Sequence, residues 1–308
     1  MARNKINIDF NKVFKPVLIG YAAVILVGVI LTCIFGVKLD INFSGGARSS
    51  FTYKGEVDIA ALETALETET GLDVTLSVNE AIGTSEKQLI ITVVGNQAIT
   101  TETQEKIENK LAEYKDNSFE FLDSNSVSPS IAGSFFVKSL VAVLIAGVFV
   151  VIYVGVRFRN IGGVSAAITA FVALVLDCII AFLACTSFRL PVDSNLIAVI
   201  LTLLGYSLND TIVTYDRIRE NKKFNPKADL SELVNLSINS VIIRNIITTV
   251  TTLLAIFTII IVSEICGLTT LRSFAIPMAF GIFSGCISSL FVSAPLWVIW
   301  KNSRAKKK

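Results

Sequence analysis

The chain contains no histidine among its 308 residues. Without an imidazole it cannot assemble a Ser-His or Cys-His pair, or a histidine metal site. No GxxxxGK[ST] run occurs, which excludes that kind of phosphate-cradling loop. Cysteine is sparse. Cys33, Cys178, Cys185, Cys266 and Cys286 lie in or beside apolar runs at no metal-like spacing, and none falls within 38–133. They read as small apolar fillers rather than a disulfide framework. Basic residues are almost missing from one set of short loops, which offer only Arg189 and Arg272. No catalytic residue, cofactor or metal is expected.

What the chain has is hydrophobicity: 53% of residues are apolar and the mean hydropathy is +0.67. That composition suits a polytopic membrane protein. Six runs reach the roughly 20 residues needed to cross a bilayer: 17–36, 137–156, 162–187, 190–215, 238–262 and 274–300. Pro277 and Pro295 fall near the ends of the last, where a kink costs little. The first run lacks a small-residue cleavage site in "CIFGVKLD" and reads as an uncleaved anchor.

Charge divides the chain. Residues 38–133 carry seven Lys and Arg against sixteen Asp and Glu, a net of −9, so the remainder nets +11 within the overall +2. Sixteen basic residues lie in the N-terminal arm, the second and fourth short loops and the tail, against the two on the opposite side. By the positive-inside rule both termini are cytoplasmic in a cell membrane, and the acidic segment is extracytoplasmic. The expected organisation is a cytoplasmic arm (1–16), a first transmembrane helix (17–36), an extracytoplasmic α+β domain (37–133), five further transmembrane helices (134–300) and a basic tail (301–308).

The acidic segment reads as β-α-β-β-α-β. Strands are expected at 41–53 (turned at Gly45–Gly46), 72–78, 88–94 and 118–127, with helices at 57–70 and 100–114. That order is ferredoxin-like. Its carboxylates read as a solvated surface. The connectors "VKLDINFSGG" and "DSNSVSPSIAGS" read as hinges between this head and the spans.

Ionisable residues inside spans are costly and default to function. Three stand out: Asp177 in the third span, Asp210 in the fourth and Arg244 in the fifth. Asp210 and Arg244 each lie seventeen residues from Lys227, in the intervening loop, so counting puts them at similar depth. The same counting places Asp177 roughly 10 Å or more outward of Asp210. Thr202, Tyr206, Ser207, Asn209 and Thr214 surround Asp210. Asn245, Thr248, Thr249, Thr251 and Thr252 follow Arg244. The residues fit a proton-responsive pair, leave Na⁺ open, and also fit an ion pair that only locks two helices.

The run "GYSLNDTIVTYDRIREN" (205–221) resembles the fourth-span signature of the SecF family. "INFSGGA", "VSPSIAG", Asp177 and "INSVIIRNIITTVTTLLA" agree with it in order, and the resemblance covers nearly the whole chain. One departure is "LDCII", where many relatives place His before the Asp. The resemblance implies six spans, an extracytoplasmic domain, and pairing with SecD in a unit similar to resistance–nodulation–division transporters. It implies association with the SecYEG translocon, a translocating polypeptide and membrane lipids, and no nucleic acid. It implies that the proton-motive force assists late steps of export. Asp210, Arg244 and Asp177 are then the proton relay, with Asn209, Tyr206, Ser207 and Thr248 supporting and Arg217 and Arg219 as cytoplasmic anchors. Competing readings are half of a proton-driven small-molecule or lipid exporter of the same superfamily, or a passive translocon scaffold.

Overall fold

The computed structural model describes residues 8–72, 74–80, 86–94, 101–114 and 117–305. Arg3, Lys5 and Lys306–Lys308, counted above for orientation, lie outside the described residues.

Six long apolar helices dominate. They are α1 (Phe10–Phe35), α5 (Pro129–Arg157), α6 (Gly163–Ser187), α7 (Ser194–Phe224), α8 (Leu230–Cys266) and a last rod. The rod comprises α9 (Thr269–Ser288), a π-helical segment (Ser289–Ser293) and α10 (Ala294–Ala305). Six helices among the described residues are long and apolar enough to cross a membrane. The rod, α6 and α7 bury 67%, 56% and 44% of their most apolar windows, whereas α1, α5 and α8 bury 11–17%. The first three are therefore the centre of the bundle. Small residues let the helices of the bundle approach. A Cβ on Gly281 would fall 2.3 Å from Leu203, and one on Gly163 would fall 2.0 Å from the Gly155 carbonyl.

The helices outrun the apolar stretches read from the sequence. α5 starts at Pro129, and α7 starts later than expected and continues to Phe224. Side-chain caps set these ends. The Asp193 carboxylate accepts from the Asn195 and Leu196 amides, and Asp229 from those of Ser231 and Glu232. Gly267, at φ 65°, closes α8 in the left-handed conformation that glycine adopts without strain. Pro277 falls well inside α9 rather than at a span end. Pro295 lacks the amide an α-ladder needs, and the wider π turn lies just before it.

Between α1 and α5 sits the head. It contains α2 (Ile41–Ser44), β1 (Gly46–Lys54), α3 (Ile59–Thr70), β2 (Val74–Glu80), β3 (Glu86–Val94), α4 (Thr101–Ala112) and β4 (Glu120–Val127). The sheet is antiparallel in the order β2-β3-β1-β4, the ferredoxin-like arrangement. Phe51 pairs with Leu89 on one side and Phe121 on the other. Phe51, Leu62, Leu66, Leu89, Ile91, Ile107 and Leu111 form the core under α3 and α4.

Two expectations fail here. Residues 41–44 are a helical turn, because Asp40 caps it through the Asn42 amide and Gly45 ends it at φ 76°. The connectors are also not free hinges. The Asp40 amide donates to the Val192 carbonyl (3.1 Å) and the Val192 amide to the Lys38 carbonyl (2.8 Å), tying the root of the head to the α6–α7 loop. Phe43 packs against Phe135 and Phe136 of α5. Only Ser128 separates β4 from α5.

Candidate functional site

Asp177 has no solvent exposure and sits where four helices meet. Its Oδ2 accepts from Ser207 (2.6 Å) and Ser288 (2.9 Å), and its Oδ1 from Ser284 (2.7 Å). The Tyr21 hydroxyl of α1 joins through Ser284, at 3.0 Å from its Oγ. A Cβ on Gly285 would stand 2.9 Å from the Ser207 hydroxyl, so the site needs glycine there. No cation enters this cage among the described residues; hydroxyls alone satisfy the carboxylate.

The Asp177 side chain reaches from its own depth toward the level of Asp210 by way of Ser207. Ser207 precedes Asp210 by three residues, only ~4.5 Å of helical rise. Side chains lean toward the start of their own helix. On antiparallel neighbours Asp177 leans away from the α6–α7 loop and Ser207 toward it, so the two meet. Counting backbone positions alone misses this convergence.

Asp210 is buried, and Thr214 donates to its main-chain carbonyl at 3.1 Å. Among the described residues its carboxylate has no side-chain hydrogen bond and no cation at ion-pair distance. Arg244 acts on it only electrostatically. Three hydrogen bonds join side chains of α7 and α8: Tyr206 to Thr252 (2.8 Å), Arg217 to Ser240 (3.1 Å) and Asn221 to Ser237 (2.8 Å). They run in step, but on antiparallel helices the two partners of each bond lean in opposite directions, so bonded pairs do not mark equal backbone depth. The Arg244 side chain leans toward the α7–α8 loop and that of Asp210 away from it, which keeps the two charges apart. The ion pair that counting allowed is therefore not made among the described residues, although Arg244 stays within electrostatic range of Asp210.

Arg244 instead lines a cleft of about 670 Å³ with Asp216, Arg217, Glu220, Lys223 and Ser240. Arg217 pairs with Glu220 (2.6 Å), Arg219 with Asp216 (2.8 Å), and Asp216 also with Arg157 of α5 (3.0 Å). Of the supporting residues, Ser207 belongs to the Asp177 cage and Tyr206 reaches α8. Asn209 and Thr248 are exposed on the bundle surface, with Thr202, Gly205, Arg244 and Thr251 in the same band. The Thr248 hydroxyl satisfies itself on the Arg244 and Asn245 carbonyls. Sequence reasoning passed over Tyr21, Ser284 and Ser288. The signal for the serines was present, since 284 and 288 stand four apart on one face of an apolar run.

Residues 106–303 match the family model described as "Protein export membrane protein SecD/SecF, C-terminal". Protein translocase subunit SecF of Petrotoga mobilis is 33% identical over 305 residues, covering 98% of both chains. Protein translocase subunit SecDF of Bacillus subtilis is also 33% identical, over 97% of this chain but 39% of that protein. The crystal structure of SecDF, a translocon-associated membrane protein from Thermus thermophilus, superposes with a TM-score of 0.83 at 26% identity. It covers 98% of this chain and 40% of that one. The chain therefore spans about two fifths of the SecDF proteins it matches.

Proposed function

The chain belongs to the SecD/SecF family of protein export membrane proteins, and from that premise we propose that it serves Sec-dependent export by coupling proton entry at Asp210 to helix movement. The observation that carries this reading is a carboxylate buried within the helix bundle, with Arg244 in electrostatic range but not paired to it among the described residues. An ionised Asp210 draws Arg244 toward it, and a protonated one releases it. At an effective dielectric constant of ~20 and separations of roughly 4–8 Å, that change is worth about 2–4 kcal/mol. Such a bias is enough to shift two arrangements of α7 and α8 that differ little in energy.

The exposed band of Thr202, Asn209, Arg244, Thr248 and Thr251 supports a partner bundle rather than lipid on that face. A SecD-type subunit is the partner proposed there, with the SecYEG translocon, the emerging polypeptide and surrounding lipids as further contacts. Both termini are proposed to be cytoplasmic and the head at 37–133 extracytoplasmic. Asp177 joins the relay through Ser207. Arg217 and Arg219 anchor the cytoplasmic end through Asp216 and Glu220.

The test is proton-gradient-dependent export in membrane vesicles carrying Asp210→Asn. The variant keeps the shape of the side chain and loses its charge. Assembly with the partner is expected to persist while gradient-driven export collapses. Export at the normal rate would exclude Asp210 as the coupling group and favour a passive scaffold. Replacing the proton gradient by a sodium gradient separates the two coupling ions. Arg244→Lys keeps the charge but not the planar fork, and a reduced rate is expected.

A further inference from the structure

Two polar side chains on α8 face the centre of the bundle without a partner. Asn245 and Thr249 are 1% and 3% exposed, and neither the Asn245 Nδ2 nor the Thr249 Oγ1 meets a hydrogen-bond partner in the protein. They stand four apart, on one face of the helix. Asp210 lies between the rungs Tyr206–Thr252 and Arg217–Ser240 that join α7 to α8, and Asn245 and Thr249 lie between the same rungs on α8. The Thr249 hydroxyl lies beside the Cys286 thiol of α9 and the Tyr206 phenol of α7, in hydrogen-bond geometry with neither. Cys286 is in electrostatic range of both Asp210 and Asp177, and Tyr206 of Asp210. Two buried unsatisfied donors thus stand on the seam between α7, α8 and α9 beside the Asp210 carboxylate, which has no hydrogen-bond partner among the described residues.

We propose that Asn245 and Thr249 bind an ordered water that donates a hydrogen bond to the Asp210 carboxylate, making them positioning residues for the coupling group. The inference rests on the coupling role of Asp210. Chemistry favours water as the ligand. An amide N–H and a hydroxyl can donate to one oxygen, and that oxygen's own hydrogens are then free for a carboxylate. A buried water with about three such polar partners is ordinary in folded proteins. An apolar ligand leaves all three groups unsatisfied, and a metal cation is poorly matched by an amide nitrogen. The water keeps Asp210 solvated at the depth where its charge must change. It also links α8 to α7 in a way that alters when Asp210 is neutral.

The test uses the full complex with its SecD partner and SecYEG in proteoliposomes. Asn245→Leu and Thr249→Val each remove a donor and keep the branching of the side chain, Thr249→Val with little change in volume. Gradient-driven export is expected to fall about tenfold in the double variant, the loss that follows from one hydrogen bond to a charged group. Assembly and melting temperature should hold, since apolar replacements relieve buried unpaired groups. Thr249→Ser, which restores the hydroxyl, should rescue the Thr249→Val defect. Wild-type export by the double variant, with Asp210→Asn inactive, overturns the water site and leaves the coupling role standing. Normal export by Asp210→Asn overturns both. A high-resolution map of the unsubstituted complex decides independently of folding. Ordered density within hydrogen-bond reach of Asn245 Nδ2 and Thr249 Oγ1 supports the site, and closure of the seam by apolar side chains refutes it.

Discussion

Asp177→Ala is the sharpest test of how the bundle is held. The substitution removes the acceptor of three hydroxyls at once: Ser207 at 2.6 Å, Ser284 at 2.7 Å and Ser288 at 2.9 Å. Hydrogen bonds between membrane helices average about 0.6 kcal/mol and reach about 1.7. Three of them give about 2 kcal/mol, and about 5 at the upper limit. The Ser288 hydroxyl keeps a fallback on the Gly285 carbonyl at 3.3 Å, and Ser284 keeps Tyr21, so the lower figure is expected. An opposing contribution is the relief of burying a carboxylate that has no cation beside it. Unfolding in mixed bicelles measures the difference. Ser207→Ala and Ser284→Ala, about 0.6 kcal/mol each, should not add when combined with Asp177→Ala, because they share its acceptor. An Asp177→Ala protein at least as stable as the parent would refute the clasp. Asp177 would then be a net cost, retained for its chemistry.

Gly163→Ala should cost about 2–3 kcal/mol of thermal stability, because its Cβ would lie 2.0 Å from the Gly155 carbonyl and α5 and α6 must part. Val192→Pro deletes the amide that donates to Lys38 at 2.8 Å; about 1 kcal/mol is lost locally, and proteolysis between α1 and β1 should accelerate several-fold. Unchanged proteolysis would show that the bridge does not hold the head. Residues 46–127 expressed alone should give mixed α/β circular dichroism and a monomer, since their core is complete without α2. An unfolded or all-helical fragment contradicts that.

Much of the architecture was legible because its signals are local. Apolar runs long enough to span mark six helices whatever packs against them. The alternation in "LDVTLSV" and the helical spacing in "VDIAALETALETET" each follow from one element's own period. Helix ends were less legible. Hydropathy stops at the first charges, but a helix stops where a cap satisfies its backbone, as Asp193 and Asp229 do. The turn at 41–44 was misread as strand because Asp40 acts on it from outside the run.

The sequence by itself determined which charges enter the bundle: Asp177, Asp210 and Arg244 stand in apolar runs, and burying an ionisable group is costly in any packing. Only the tertiary structure decided which of them meet. Level within a bundle is set by the register between helices and by the lean of each side chain toward its own helix start. Register depends on contacts such as Arg217 with Ser240 and Tyr206 with Thr252, which join residues far apart in the chain. Side chains that lean apart there leave Asp210 and Arg244 as two separate charges instead of an ion pair. The same lean, on the neighbouring pair of helices, brings Asp177 onto Ser207.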